Sequence, residues 1–180
     1  MATFTERVIG AAKLNVHTYE EVEADKTALR QAMGVVVLSS LAAGVGAGAG
    51  AGITGLLVGA MASLVGWFIW ALLTYFIGTR LLAQPQTRAD LGQLLRTIGF
   101  SSSPGLLRIL GVVPGLGVVI VFVAQVWMLT AMVVAVRQAL DYTSTWRALG
   151  VCIIGWIVLV AITALLMGVL GGTATAAVGA

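Results

Sequence analysis

The sequence predicts an all-α integral membrane protein: a bundle of five transmembrane helices preceded by a cytoplasmic amphipathic helical segment. Charged residues make up only 9% of the 180 residues, and hydrophobic residues make up 59%, whereas about 25% are charged in soluble proteins. The stretch from Met33 to Thr79 also runs for 47 residues without an Asp, Glu, Lys or Arg. As one helix it would be about 70 Å long, more than twice the ~30 Å of a bilayer core, so it must cross twice.

The N-terminal part, residues 1–32, is polar and mixed in charge, with no apolar core or cleavage site of a signal peptide. The first span is therefore expected to direct insertion uncleaved. The pattern favours two short helices on the membrane surface, with Thr5 and Thr18 as their N-caps. The alternative is a mobile tail.

An acidic cluster and an apolar stripe come just before the first span. The cytoplasmic leaflet is negative, so it does not attract an acidic segment, and a basic partner is expected instead. We predict that residues 18–32 form a docking helix that the arginines of the chain's own connectors hold, in preference to a foreign basic partner. The residues of this partner-binding hypothesis are Tyr19, Glu20, Glu21, Val22, Glu23, Asp25 and Leu29.

The apolar blocks give the span positions and the domain organisation. The five spans are predicted at about 31–50, 55–78, 94–113, 116–136 and 148–169, of which the third is short and distorted because it carries Pro104 and Arg108. The domains are predicted as a cytoplasmic segment 1–32, a five-span membrane domain 33–170 and a small-residue outer tail 171–180.

The charges between the apolar blocks predict the topology. The connectors 80–97 and 137–147 carry three and two arginines, whereas the turns 51–54 and 114–117 carry no charge. The positive-inside rule therefore favours five crossings, with the N-terminus cytoplasmic and the C-terminus outside. The excess of Arg over Lys, with abundant Ala and Gly, points to a GC-rich bacterial genome and hence to the bacterial inner membrane. Tyr142 and Trp146 are expected at the membrane interface.

Glycines repeat at every fourth position around the first predicted turn. Small residues at this spacing let helices approach closely in lipid. Packing between the chain's own spans is favoured over homodimerisation. The predicted packing residues are Gly44, Gly48, Gly52, Gly55 and Gly59.

A few polar residues fall inside the predicted spans. Gln125 lies near the middle of the fourth span and is expected to bond a neighbouring helix. An intramembrane arginine is a functional hypothesis in its own right, but for Arg108 we favour structural pairing with carbonyls loosened at Pro104 or with a lipid phosphate. The intramembrane polar residues are Ser101, Ser102, Ser103, Arg108 and Gln125.

Two stretches of the chain resemble a known family. Tyr19-Glu-Glu-Val-Glu-Ala-Asp25, and the run from Ile98 to Pro114 that enters a glycine turn, are similar to bacterial members of the Yip family of Ypt/Rab-GTPase-interacting membrane domains. The resemblance implies five spans, a cytoplasmic N-terminus and no catalysis. It also implies a small-GTPase partner by family analogy, although eukaryotic relatives bind GTPases partly through longer cytoplasmic segments than the 32 residues present here.

The sequence contains no residue set for catalysis, metal binding or cofactor binding. Its one histidine, His17, and its one cysteine, Cys152, have no companion ligands, and there is no basic patch for nucleic acid. The predicted function is a non-enzymatic membrane scaffold or adaptor, such as an accessory subunit that binds a membrane-protein partner or forms a homo-oligomer. The alternative is a small transporter or channel with a polar path near Arg108 and Gln125.

Overall fold

The computed structural model describes residues 2–48, 50 and 52–178, with side chains described as far as Leu165 in the last helix. All regular structure in that part of the chain is helical. The α-helices are α1 (Phe4–Ala12), α2 (Val16–Ala24), α3 (Ala28–Gly46), α4 (Gly52–Phe76), α5 (Leu91–Phe100), α6 (Gly117–Ala139) and α7 (Thr145–Val178). A π-helical turn, Ile77–Leu81, extends α4, and a 3₁₀ helix, Ser103–Val112, follows α5.

Among the described residues, four helices are long and apolar enough to cross a membrane: Ala28–Gly46, Gly52–Leu81, Gly117–Ala139 and Thr145–Leu165. They correspond to the first, second, fourth and fifth predicted spans, and these four predictions are confirmed. The helix α3 begins at Ala28, several residues before residue 33, where the membrane domain is predicted to start, and the division into domains stays a prediction. The helix α7 also continues to Val178, into the stretch predicted as a tail.

The third predicted span is not one of these four helices, because it is broken in two. Pro104 has no N–H to donate to the carbonyl of Phe100, four residues earlier, and its ring would clash there, so α5 ends at Phe100. The Ser103 hydroxyl donates to the Phe100 carbonyl instead, at 2.6 Å, and the Ser101 hydroxyl donates to the Ile98 carbonyl at 2.7 Å. The serine run therefore satisfies carbonyls that the break releases.

The broken segment lies parallel to α3 along its whole length. A Cβ placed on Gly99 would lie 2.7 Å from the Cβ of Ala32, and one on Gly111 would lie 2.9 Å from the Gly46 carbonyl oxygen. Three close contacts mark the register: Ala32 with Gly99, Ser39 with Gly105 and Gly46 with Gly111. At ten residues each, α5 and the 3₁₀ helix are about 15 Å and 20 Å long.

The N-terminal segment forms a helical hairpin against the side of the bundle. Both predicted N-caps are wrong: Thr3 caps α1 in a capping box, and Asn15 caps α2. The hairpin packs on α5 and α6, and the Trp127 indole donates to the carbonyl of Ala12 at 2.7 Å. Since Trp127 lies near the midpoint of α6, the segment reaches well along that helix.

The connector 140–147 is hydrogen-bonded to the π-helical turn that extends α4. The Tyr142 hydroxyl lies 2.8 Å from the carbonyl of Gly78 and 2.9 Å from that of Leu82, both at the π-helical turn. Tyr142 is buried, and burial raises the pKa of its phenol. Tyr142 thus fastens the connector to α4, whereas Trp146 is 81% exposed; their place at the membrane interface stays a prediction.

Candidate functional site

The side chain of Arg108, on the 3₁₀ helix, lies against α3. The Nε of Arg108 donates to the Gly105 carbonyl at 3.1 Å, and its Nη2 donates to the carbonyl and the hydroxyl of Ser39 at 3.0 and 2.8 Å. Its partners thus include a carbonyl next to Pro104, but the Phe100 carbonyl freed by that proline is taken by Ser103. No described carboxylate forms an ion pair with Arg108.

A cavity of about 270 Å³ adjoins the Arg108 guanidinium. Its polar lining comes from Ser39, Ser40, Ser63, Ser102 and Arg108, and the rest is apolar or aromatic. Of the predicted serine run, only Ser102 lines this cavity, while Ser101 and Ser103 are buried with their hydroxyls on carbonyls of their own segment. The cavity therefore holds one positive charge and several hydroxyls.

Gln125 lies outside this cavity and does not bond a neighbouring helix within the described residues. It is exposed on α6, where it borders an apolar groove between α4, α6 and α7. Val118, Phe122 and Leu129 are also exposed, at 85%, 68% and 58%. These positions repeat with helical spacing, so Gln125 stands in the middle of an exposed apolar stripe on α6. Its predicted bond to a neighbouring helix is not made within the described residues and stays a prediction.

The apolar stripe of the N-terminal segment packs inside the protein. Tyr19 and Val22 are fully buried, in one cluster with Ala11 and Phe100. The Tyr19 hydroxyl donates to the Ala11 carbonyl at 3.1 Å, and burial raises the pKa of this phenol. Leu29 is partly buried against a second cluster. Leu29 belongs to α3, so the predicted docking helix 18–32 is broken at residues 25–27, and Tyr19 and Val22 hold α2 to the bundle.

The acids of the segment do not reach the connector arginines. Instead, the Nη2 of Arg7 on α1 bonds Glu21 at 2.9 Å and Asp25 at 2.8 Å, and its Nη1 donates to the Gln31 amide oxygen at 3.0 Å. Hydrogen bonds from Thr27 and then Arg7 lower the pKa of Asp25 to about 2. The hydrogen bond from Arg7 is the main reason that the pKa of Glu21 is lowered.

The other two acids of the cluster have different surroundings. Glu20 is exposed, and its carboxylate lies 3.4 Å from His17. Glu23 is partly buried and accepts a hydrogen bond from the Gln93 amide at 2.9 Å. Desolvation, with Asp141 as a second cause, raises the pKa of Glu23 to about 7. The acidic cluster therefore contains one carboxylate poised to titrate near neutral pH.

Of the connector arginines, Arg96 is the one that holds the N-terminal segment, and it does so through the backbone. Its Nε lies 3.0 Å from the Val22 carbonyl oxygen and 3.1 Å from that of Glu23, and its Nη2 also bonds the latter. Arg137 and Arg147 donate to connector carbonyls. The predicted ion pairs between the acids and the connector arginines are thus absent from the described residues.

Comparison with known proteins decides the family. A family model described as the Yip1 domain matches residues 16–175. The chain belongs to the Yip1 domain family. The resemblance to the Yip family is thereby confirmed, and it places the chain in a family of membrane proteins that is not known to be enzymatic. Comparison with curated proteins and with solved structures finds no match.

In this Yip1 domain, the two stretches that carry the resemblance touch each other. Phe100, from the second stretch, packs in the same buried cluster as Tyr19 and Val22 from the first. Arg96, just before the second stretch, binds the carbonyls of Val22 and Glu23. The two motifs therefore form one packed unit between α2 and α5.

The predicted glycines have mixed roles. A Cβ on Gly44 would lie 2.5 Å from Leu56, so Gly44 permits close packing of α3 on α4. Gly48 and Gly52 have φ values of +88° and +61°, which suit glycine at the turn between these helices. Gly55 and Gly59 border a cavity of about 240 Å³ between α3 and α4.

The glycine pattern missed another set of close helix contacts in the Yip1 domain. They involve Gly46, Gly99, Gly105 and Gly111, which join α3 to the broken segment. A Cβ on Gly105 would clash with the Ser39 hydroxyl and lie 2.8 Å from the sulfur of Met128. These glycines do not share one regular spacing, since a helix break separates Gly99 from Gly105.

Proposed function

We propose that this Yip1 domain is a non-enzymatic membrane scaffold or adaptor that binds a transmembrane helix through the exposed stripe on α6. The supporting observation is the exposed amide of Gln125. An amide facing hydrocarbon lacks the hydrogen bonds that water would supply, so a polar group on an adjacent helix stabilises it. Val118, Phe122 and Leu129 supply the apolar surface on either side.

The partner is a second membrane protein or another copy of this chain. An amide carries both donors and an acceptor, so Gln125 can pair with a polar side chain of a foreign helix or with its own counterpart across a two-fold axis. We favour a foreign partner, in the manner of an accessory subunit.

A transporter or channel is the alternative, and the arrangement of polar residues argues against it. Arg108 and Gln125 border different cavities. Ser101 and Ser103 are turned to carbonyls of their own segment. The polar groups therefore do not follow one another along a path.

We further propose that the chain crosses the bilayer five times. Support comes from the contacts of α5 and the 3₁₀ helix along the whole of α3, from Ala32 to Gly46. Together these two short helices are about 35 Å long, enough to traverse a bilayer core of ~30 Å. Their break lies against α3, α4 and α6, where protein satisfies the irregular backbone.

The orientation that goes with five crossings has the N-terminus in the cytoplasm and the C-terminus outside, in the inner membrane of a bacterium. The connectors with Arg88, Arg137 and Arg147 then share the cytoplasmic side with the hairpin α1–α2. In this proposal the Tyr19–Leu29 segment serves intramolecular docking, so that Glu20 and His17 are left on its exposed face.

The test is Gln125→Leu in the full-length protein, with a photo-crosslinking residue at Phe122. Crosslinked partners in membranes would be identified by mass spectrometry, and complex size would be measured by native electrophoresis. The control is Thr130→Leu, because Thr130 is exposed on the same helix but its hydroxyl already bonds its own helix at Val126.

Loss of the crosslinked species in Gln125→Leu but not in Thr130→Leu supports the scaffold, and the mass of the product tells a foreign partner from a second copy. Equal crosslinking in all three proteins would refute it. A solute flux into proteoliposomes that Arg108→Gln abolishes would establish the transporter instead.

A further inference from the structure

Two cavities of the bundle share a wall. The Arg108 cavity and the groove between α4, α6 and α7 are both lined by Trp70 and Met132. The Trp70 indole nitrogen lies 3.3 Å from the Met132 sulfur. The contact is a weak hydrogen bond to a flexible thioether, so Met132 is an adaptable part of the wall between the two spaces.

The Arg108 end carries a positive charge that neutral groups alone surround. All three of its hydrogen bonds within the described residues go to carbonyl or hydroxyl oxygens, and its Nη1 makes none. The Ser102 hydroxyl lines the same cavity without a hydrogen bond to any described residue. A charge inside the bilayer is costly unless it is compensated. An oxyanion compensates it best, through charge-assisted hydrogen bonds.

The other end is apolar and much larger. The groove has a volume of about 540 Å³. Leu149, Cys152, Ile153 and Trp156 of α7 form one side of it. Such a surface suits a hydrocarbon chain and offers no counter-charge, so the two ends differ in the chemistry that they accept.

We propose that the Arg108 cavity and this groove together bind an anionic amphiphile, whose phosphate or carboxylate lies at Arg108 and Ser102 and whose acyl chain lies beside Trp156. The charge of Arg108 at one end and the apolar lining of the groove at the other determine which end of the amphiphile lies in which space. Trp70 and Met132 line both spaces. The groove shares Gln125 and Leu129 with the α6 stripe, whereas the Arg108 cavity shares no residue with it, so the anion-binding end does not depend on whether the stripe binds a partner helix.

The experiment measures binding to the purified full-length protein in mild detergent by native mass spectrometry. Three probes carry the same oleoyl chain: lysophosphatidic acid, oleate and lysophosphatidylcholine. The anionic probes are expected to bind at least about tenfold more tightly than the zwitterionic one, the factor that about 1.4 kcal/mol gives. Lysophosphatidic acid ahead of oleate identifies a phospholipid source, and the reverse order identifies a free fatty acid.

Two variants test the site itself. Arg108→Gln removes the charge, and the affinity for the anionic probes should fall by about tenfold, to that of lysophosphatidylcholine. Gly66→Leu leaves Arg108 in place and adds a side chain at the cavity wall on α4, where a Cβ on Gly66 meets nothing within 4 Å. It keeps the test valid if the first variant does not fold.

The matched control is Gly34→Leu, at a glycine on α3 whose Cβ would also meet nothing within 4 Å and which does not line the cavity. It should bind all probes as the natural sequence does. Equal affinity for the three probes, anionic binding that survives Gly66→Leu, or the same loss in Gly34→Leu would overturn the proposal.

Discussion

The interaction network around Arg7 should hold the N-terminal hairpin in its docked position. The guanidinium of Arg7 is 2% exposed, and it makes ion pairs with Asp25, which is 13% exposed, and Glu21, which is 36% exposed. Arg7→Met keeps most of the side-chain volume but removes both ion pairs and the hydrogen bond to Gln31. Breaking a fully buried pair costs about 3–5 kcal/mol.

The expected cost here is smaller, because both carboxylates of the Arg7 network keep some access to water. We expect a loss of about 2 kcal/mol in the free energy of docking, after discounting for solvent screening. The undocked fraction of the hairpin should then rise about 30-fold. Lys13 lies in the turn between α1 and α2, whose backbone is hydrogen-bonded in the docked hairpin, so the rate of tryptic cleavage after Lys13 reports that fraction when opening is fast.

A matched control separates docking from a general loss of charge. Arg30 is exposed at the start of α3 and makes no side-chain hydrogen bond to a described residue, so Arg30→Met should leave cleavage after Lys13 unchanged. If Arg7→Met accelerates cleavage no more than Arg30→Met does, the ion pairs do not hold the hairpin, and its apolar packing alone does.

Three further predictions concern the broken segment and the acidic cluster. Ser103→Ala should destabilise the bundle by about 1 kcal/mol, the net value of one buried hydrogen bond. Ser102→Ala should not destabilise it. Thermal unfolding of the two variants in detergent measures the difference. Gly99→Ala should cost about 1–3 kcal/mol by overpacking α3 against α5, and equal midpoints for Gly99→Ala and Gly34→Ala would contradict this. Burial raises the pKa of Glu23 to about 7, so the docked hairpin holds a proton there that the undocked hairpin releases. Docking should therefore weaken as pH rises from about 4.5 to 7. Hydrogen exchange measures the docking, and Glu23→Gln should flatten its dependence on pH.

The four long helices could be predicted from the sequence because membrane crossing imposes a minimum apolar length. The charge-free run from Met33 to Thr79 leaves no other solution than two crossings and a turn. The break near Pro104 was also visible, since a missing N–H acts locally. These features depend on the residues of one segment and not on which segments meet.

The contacts of the site depend on long-range packing and could not be predicted. The helix α6 is apolar on all sides, so its sequence does not show which face packs against the bundle. Nothing in the sequence therefore indicated that Gln125 points away from the bundle. The serine that binds Arg108 lies 69 residues away. Of the missed contacts, the pairing of Arg7 with Glu21 and Asp25 came closest to being predictable, because all three residues lie in the same short segment.

The crossing of α5 and the 3₁₀ helix decides the membrane depth of Arg108 and Gln125 and the side on which the N-terminal hairpin lies. Single cysteines at Arg88 and at Leu116, both exposed, would flank this segment in a Cys152→Ala background. An impermeant thiol reagent applied to intact cells should label position 116 and leave position 88 unlabelled until the membrane is opened. Labelling of both positions, or of neither, would place the two ends of the segment on one side of the membrane and contradict the five-crossing arrangement.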